Sequence, residues 1–304
     1  KMTLIPEIVD MDMPVEGVFH NLVIAKIKKD YAGQGQKVMN AMWGAGQMMF
    51  NKILVLVDGE MKIQNYEELA KYVFKNINPA TDIYFSQGPM DVLDHSCSKL
   101  GFGGKMCIDG TFKLDEEVDE SYELRIKNEE LKIDLLLKES FGEIEIVNSS
   151  LLAKQISCLI ISVKKNRKGH IKELHEQICL LKEIVGVKMI LYVEHTVDAN
   201  DLPTALWRFC NNLDPKRDSH INKRPTTNLK LQISNYTACV GFDGTRKTKE
   251  FDDFNRDWPN IIVADDETIK SVDAKWNELN IGKLIPSPSL KFKDQLYGEE
   301  AVVN

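Results

Sequence analysis

The sequence predicts an α/β protein: two tandem βαβαβ-type units with largely parallel sheets, plus a C-terminal amphipathic helix. Three observations carry this. Leu22–Phe85 aligns without a gap on Cys158–Ile221 at a constant offset of 136, the signature of an internal repeat. Each repeat contains a near-continuous apolar run, Lys52-Ile-Leu-Val-Leu-Val57 and Lys188-Met-Ile-Leu-Tyr-Val193. Such runs are expected of strands buried on both faces of a parallel sheet. Near the C-terminus Ile269, Val272, Trp276 and Leu279 recur at helical spacing.

The elements follow in order. Leu22-Val-Ile-Ala-Lys-Ile27 and Leu159-Ile-Ile-Ser-Val163 are short β-rich runs that open the repeats. Val38, Met42, Ala45 and Met49 predict a helix after the first run, and Leu174, Ile178, Leu181 and Val185 predict its counterpart. After the central strands come second helices. Tyr66, Leu69, Ala70, Val73 and Ile77 of the first become Leu202, Ala205, Leu206, Phe209 and Leu213. Asn65 followed by Glu68, and Asp201 followed by Pro203, mark where these helices begin. Strands alternating with helices imply right-handed βαβ crossovers with helices on both faces.

Asn-x-x-Pro-x-x-Asp recurs at Asn76/Pro79/Asp82 and Asn212/Pro215/Asp218, leading to a less regular third strand. The repeat extends outward with slips. Glu7–Asp10 answers Glu145–Asn148 at offset 138, and Asp109–Lys113 answers Asp243–Lys247 at offset 134. Residues 1–117 are thus a first unit, 118–250 a linker and a degenerate second copy, and 251–304 the closing helix and tail. The acidic run Asp115–Glu120 reads as a solvated linker, Tyr122–Ile126 as a strand. Gly101-Phe-Gly-Gly-Lys105 reads as a tight loop, because it lacks the spacing of a phosphate-binding loop. Pro286 and Pro288 are expected to end regular structure before a tail.

Composition excludes several functions. Among 304 residues, 39 Lys and Arg oppose 46 Asp and Glu, a net charge of −7 that argues against a nucleic-acid binder or an anionic-membrane binder. No apolar run approaches the roughly 18 residues of a membrane span. Six dispersed cysteines without a Cys-x-x-Cys pair read as reduced core thiols of a cytoplasmic protein. The chain opens Lys-Met, which reads as a piece of something longer.

Chemistry is sparse. Gly33-Gln-Gly-Gln-Lys37 lies between a strand and a helix, where helix N-terminal amides favour an anion. Lys37 in that first turn is electrostatically unfavourable unless something negative is near. Lys37 reads either as a solvated surface lysine or as a phosphate contact, and since its counterpart is Glu173, such a contact would be kept only by the first copy. Asp58 and Glu194 end the central strands, either as site residues or as turn caps. The six histidines show no metal-ligand spacing, and no nucleophile elbow is present. A phosphate- or nucleotide-binding α/β module, or a non-catalytic homo-oligomerisation module, satisfies these residues.

Pro6-Glu-Ile-Val-Asp10, Pro14-x-Glu-Gly17 and Ile27-Lys-Lys-x-Tyr-Ala-Gly-x-x-x-Lys-Val-Met39 resemble the C-terminal region of UbiD-type 3-polyprenyl-4-hydroxybenzoate carboxy-lyases. The resemblance continues through Lys52, Val57-Asp58, Asn78-Pro79-x-x-Asp82, Leu93-Asp94 and Lys105–Lys113, and resumes at Val272–Leu279. It covers about residues 1–113 and 266–281, with the second copy as an insertion. The acidic run that follows the family's central strand is reduced here to Asp58-Gly-Glu60. The resemblance implies a parent enzyme that decarboxylates aromatic or α,β-unsaturated acids, as in quinone synthesis. Its cofactor would be prenylated FMN from a partner flavin prenyltransferase, with a divalent metal (Mn or Mg) and potassium. It further implies that the catalytic network lies upstream, so no catalytic or metal-binding residue is carried over. This chain is then a homo-oligomer-forming part that binds no cofactor by itself. Lys37, with Gly33 and Gly35, matches the family's position near the flavin phosphate.

Overall fold

The computed structural model describes residues 4–117, 133–227 and 234–297. The chain divides into two units, Lys1–Arg256 and Asp257–Asn304. The larger unit contains two five-stranded sheets of identical topology. In the first copy the elements are β1 (Ile8–Asp12), β2 (Leu22–Ile27), α1 (Gln34–Trp43), β3 (Ile53–Val57), α2 (Tyr66–Asn76), β4 (Ile83–Pro89) and β5 (Phe102–Asp109). The second contains α3 (Ile133–Ser140), β6 (Ile144–Asn148), α4 (Ser150–Ala153), β7 (Cys158–Val163), α5 (His170–Cys179), β8 (Met189–Glu194), α6 (Leu202–Asn212), β9 (Ser219–Thr227), β10 (Ser234–Asp243) and α7 (Lys249–Asp252).

The strand orders are β1-β2-β3-β5-β4 and β6-β7-β8-β10-β9. The inner three strands of each sheet are parallel, and both edge strands run antiparallel. The irregular third strand expected of each repeat is thus a hairpin, with its second arm inserted beside the central strand. Ile53 faces Met106 and Met189 faces Val240, which confirms the offset of 134 for this arm. The offset of 138 at the first edge is corrected. Ile8 pairs with Ile27 and Ile144 with Val163, each ahead of a bulge, so β1 and β6 match at 136. A slip of two residues leaves the inward–outward alternation of a strand intact, so hydrophobicity could not expose the error.

Helix starts match their signals. Asn65 Oδ1 accepts from the Glu68 amide at 3.5 Å, and Asp201 Oδ2 accepts from Thr204 Oγ1 at 2.6 Å. The first helices are shorter than their periodicity implied. α1 ends at Trp43 and Gly46–Phe50 forms a 3₁₀ turn; α5 ends at Cys179 and a 3₁₀ turn follows at Lys182–Ile184. The glycine-rich run is also corrected. Phe102–Lys105 lies in β5, and only Gly101, at φ +69°, makes a turn. Gly103 is small because Cys97 Sγ lies against it, 2.4 Å from where a Cβ would stand, and Gly104 because the other copy's Asp214 comes against this strand, with Oδ1 2.1 Å from such a Cβ.

Alternation along the strands divides the core. Val23, Ala25, Leu54 and Cys107 face α1, packing on Val38 and Met42. Ile24, Ile53 and Met106 face α2 and belong to one cluster with Cys158, Ile160, Met189 and Phe209. The two copies therefore pack through equivalent faces and share a core. Reciprocal contacts show the approximate two-fold. Lys188 Nζ donates to Phe74 O and Ile77 O at 2.6 and 2.7 Å, while its counterpart Lys52 reaches Asn211 O at 3.4 Å. Lys52 is wholly buried and pairs with Asp94 at 2.9 Å.

The smaller unit contains α8 (Asp266–Lys275), a 3₁₀ turn at Trp276–Leu279 and α9 (Ser289–Phe292). Ile269 is buried, but Val272 and Leu279 are exposed. Regular structure thus continues past Pro286 and Pro288, with the Ala264 amide donating to Ser289 Oγ at 2.9 Å. The expected strand Tyr122–Ile126 and residues 298–304 lie outside the described residues. Among the described residues no helix is long and apolar enough to cross a membrane.

Candidate functional site

The carboxyl ends of the parallel strands meet the N-termini of α1 and α5, the part of an α/β sheet where ligands usually bind. Equivalent networks stand there in both copies. Asp109 Oδ1 accepts from the amide and hydroxyl of Thr111 at 3.1 and 2.6 Å. Asp243 Oδ1 does the same with Thr245. Asp82 and Asp218 accept the amides of Asn78 and Asp214, at 2.6 and 2.8 Å, closing their loops. Lys113 lies between Asp82 and Asp109 at 3.5 and 3.6 Å, and Lys247 between Asp218 and Asp243 at 3.6 and 3.2 Å. Burial pushes Asp82 and Asp218 up against the pull of these lysines. Burial would raise Asp243 as well, but Lys247 and Lys165 together hold it well below the usual carboxylate range. Asp58 and Glu194 turn inward as ties. Asp58 accepts from Tyr72 Oη and the Phe112 amide at 2.5 and 3.0 Å; Glu194 binds Arg208 and accepts from the Arg246 amide at 2.8 Å.

The structure gathers the residues singled out in the sequence around the start of α1. Gly33 caps the helix at φ +76°. Its amide donates to Glu117 Oε1 at 2.8 Å, and the buried ammonium of Lys29 lies 2.5 Å from Glu117 Oε2. Burial opposes ionisation of Glu117, but the Lys29, Gly33 and Leu114 donors leave its pKa lowered. The acidic run is therefore not simply a solvated linker: Asp115–Glu117 forms a 3₁₀ turn that delivers an anion to the helix. Gly35 is small because Asp109 lies beneath it, where a Cβ would stand 2.1 Å from Oδ2. Lys37 lies on the exposed side, its ammonium bound to Glu7. The hydrogen bond from Lys37 lowers the Glu7 pKa and raises that of Lys37. Glu7 thus supplies the negative charge that a lysine in this first turn calls for, and the residues at the start of α1 are engaged within the chain. They do not form a phosphate cradle, because Glu117 already takes the donors of Gly33 and Lys29.

At the same place in the second copy, a cleft of about 170 Å³ is lined by Lys165, Gly169, His170, Arg217, His220 and Asp243, among others. His170 Nδ1 takes the Asn166 amide as Gln34 Oε1 takes that of Asp30. Burial pushes His220 down to about 4.

One cluster escaped the sequence. His175, Cys179 and Cys239 are buried with ligand atoms all within 4.8 Å of one another. His175 and Cys179, four residues apart, share the inner face of α5. Cys239 arrives from β10, a long-range approach that no sequence spacing announces. All six cysteines are buried, and none of them forms a disulfide.

The chain matches the family of 3-octaprenyl-4-hydroxybenzoate carboxy-lyase C-terminal domains over residues 1–110, and matches it again over 127–244. It belongs to that family. The second match extends the resemblance, which the sequence motifs had confined to the first copy and the closing helix. An uncharacterized protein of Helicobacter pylori (strain J99) is 29% identical over 280 residues, which is 89% of this chain and 40% of that protein. An uncharacterized protein of Archaeoglobus fulgidus is 44% identical over 113 residues, covering 37% of this chain and 24% of its own length. This chain thus spans well under half the length of these relatives. Among solved structures, the UbiD-class enzyme HmfF from Pelotomaculum thermopropionicum, in complex with FMN, has a TM-score of 0.34 and 24% identity. That match covers 43% of this chain and 29% of HmfF.

Proposed function

We propose that this chain is the C-terminal, assembly-forming and flavin-site-closing part of a UbiD-type decarboxylase of aromatic or α,β-unsaturated acids, such as polyprenyl-4-hydroxybenzoate. The observation that carries this reading is the double family match in a chain spanning only 40% of its Helicobacter relative. The parent would use prenylated FMN supplied by a flavin prenyltransferase, with Mn or Mg and potassium at the phosphate. When bound, that flavin supplies an electron sink for the carboxylate carbon. The contribution of this chain is charge and enclosure. Lys37, exposed and poised by Glu7 at the start of the first copy, would offer its ammonium to the flavin phosphate, with Gly33 and Gly35 setting the helix that presents it. Because the Glu117 carboxylate already occupies the Gly33 amide, the phosphate would meet the Lys37 ammonium rather than the helix-start amides. Six buried thiols without a disulfide support a cytoplasmic setting, and the parent is read as a homo-oligomer.

The test is Lys37→Glu in the full-length parent co-expressed with a flavin prenyltransferase, with bound flavin read from the visible spectrum. We expect flavin occupancy to fall several-fold while assembly, read by light scattering, is unchanged. Unaltered occupancy removes Lys37 from the site. An absorption spectrum of the 304-residue chain itself is expected to be colourless; a stoichiometric flavin band would show that the cofactor site lies inside this chain.

A further inference from the structure

We infer that the second copy contains a zinc-type metal site formed by His175 Nε2 and the thiolates of Cys179 and Cys239. His175 Nε2 lies 3.5 Å from Cys179 Sγ. With Zn–N of about 2.0 Å and Zn–S of about 2.3 Å, the edge of a zinc tetrahedron between such atoms is about 3.5 Å. The other ring nitrogen, Nδ1, lies 3.1 Å from Tyr192 Oη, which can accept its proton in the tautomer a metal at Nε2 requires, and Nε2 would exchange its 3.3 Å contact with Cys239 O for the ion. The cluster lies in the core between α5 and the sheet, among Leu159, Ile161, Leu174 and Ile190. A divalent ion with two thiolates and a neutral imidazole carries no net charge, the condition for burial among such residues.

Two further observations show that the cluster is built rather than incidental. Gly241 on β10 makes room for the imidazole, since a Cβ there would stand 2.5 Å from His175 Nδ1. Its counterpart in the first copy, at the offset of 134 established for this strand, is Cys107. The counterparts of His175, Cys179 and Tyr192 are Met39, Trp43 and Leu56, so the same fold packs there without any imidazole–thiol group. Binding would convert two thiols to thiolates and release two protons to solvent, with no change in oxidation state. Three protein ligands leave one position of the tetrahedron.

The test uses the full chain, expressed with zinc and dialysed exhaustively, with metal measured by mass spectrometry. We expect one zinc per chain, reduced at least tenfold in Cys179→Ser/Cys239→Ser and retained in Cys107→Ser, which alters a buried thiol outside the cluster. Cobalt substitution of the unaltered chain needs no variant. Tetrahedral d–d bands with a thiolate-to-cobalt charge-transfer band would support the site even if the double variant fails to fold. A metal-free chain without cobalt bands overturns the proposal. So does zinc unaffected by the double variant, or a Cys179–Cys239 disulfide found by peptide mapping.

Discussion

At the scale of single residues, the junction between the copies explains sequence features that local patterning misread. Gly104 donates its amide to Asp214 Oδ2 at 3.1 Å, and a Cβ there would also stand 2.6 Å from the Lys216 amide. Backbone cannot yield as a side-chain tip can. Gly104→Ala is therefore expected to cost about 1–3 kcal/mol, the range for overpacking a filled interior. Urea unfolding checks this, and an unchanged midpoint would show that the junction can open. Gly104 was visible in the sequence, but its reason, Asp214 and Lys216, lies more than a hundred residues away. Asp58 and Glu194 were legible as strand-end carboxylates, and their partners, Tyr72 and Arg208, became visible only once the helices were in place.

At the scale of elements, the central strands and their helices were legible because apolar runs and 3.6-residue stripes are local signals. The β4–β5 hairpin was not, since nothing local shows that its second arm inserts parallel to β3. Two lysines tie strand ends into this arrangement. Lys105 Nζ donates to Met49 O and Asn51 O, both at 2.7 Å, and Lys188 Nζ to the end of α2. Burial pushes both down to about 8. Between there and the ordinary lysine value, the unfolded chain holds more protons than the folded one, so these groups make stability rise with pH across that window. Chemical unfolding measured across it should show the rise, and Lys105→Met/Lys188→Met should flatten it. A double variant with an undiminished slope would assign the effect to other groups.

At the scale of the whole molecule, the repeat was readable, but its packing was not. Both copies match one family, yet the sequence does not state that their α2 and α6 faces close on each other. We propose that the second copy has a packing role, because it covers Ile24, Ile53 and Met106 while replacing Lys37 by Glu173. Deleting 118–250 from the parent would bare that face. Self-association or dye-binding apolar surface is the expected outcome, read by light scattering and fluorescence. Loss of turnover with assembly and flavin content intact would instead show a direct part in the reaction.

The reciprocal reach of Lys52 and Lys188 has a consequence for how the two halves can vary. In a dimer of identical chains every substitution appears on both sides of the axis, and the partnership dissolves on dilution. Here both sides are encoded separately and tethered, so their mutual affinity is independent of concentration. One half can then carry a lysine at its helix start while the other carries an imidazole and thiols in its core, without either burden being imposed on its twin.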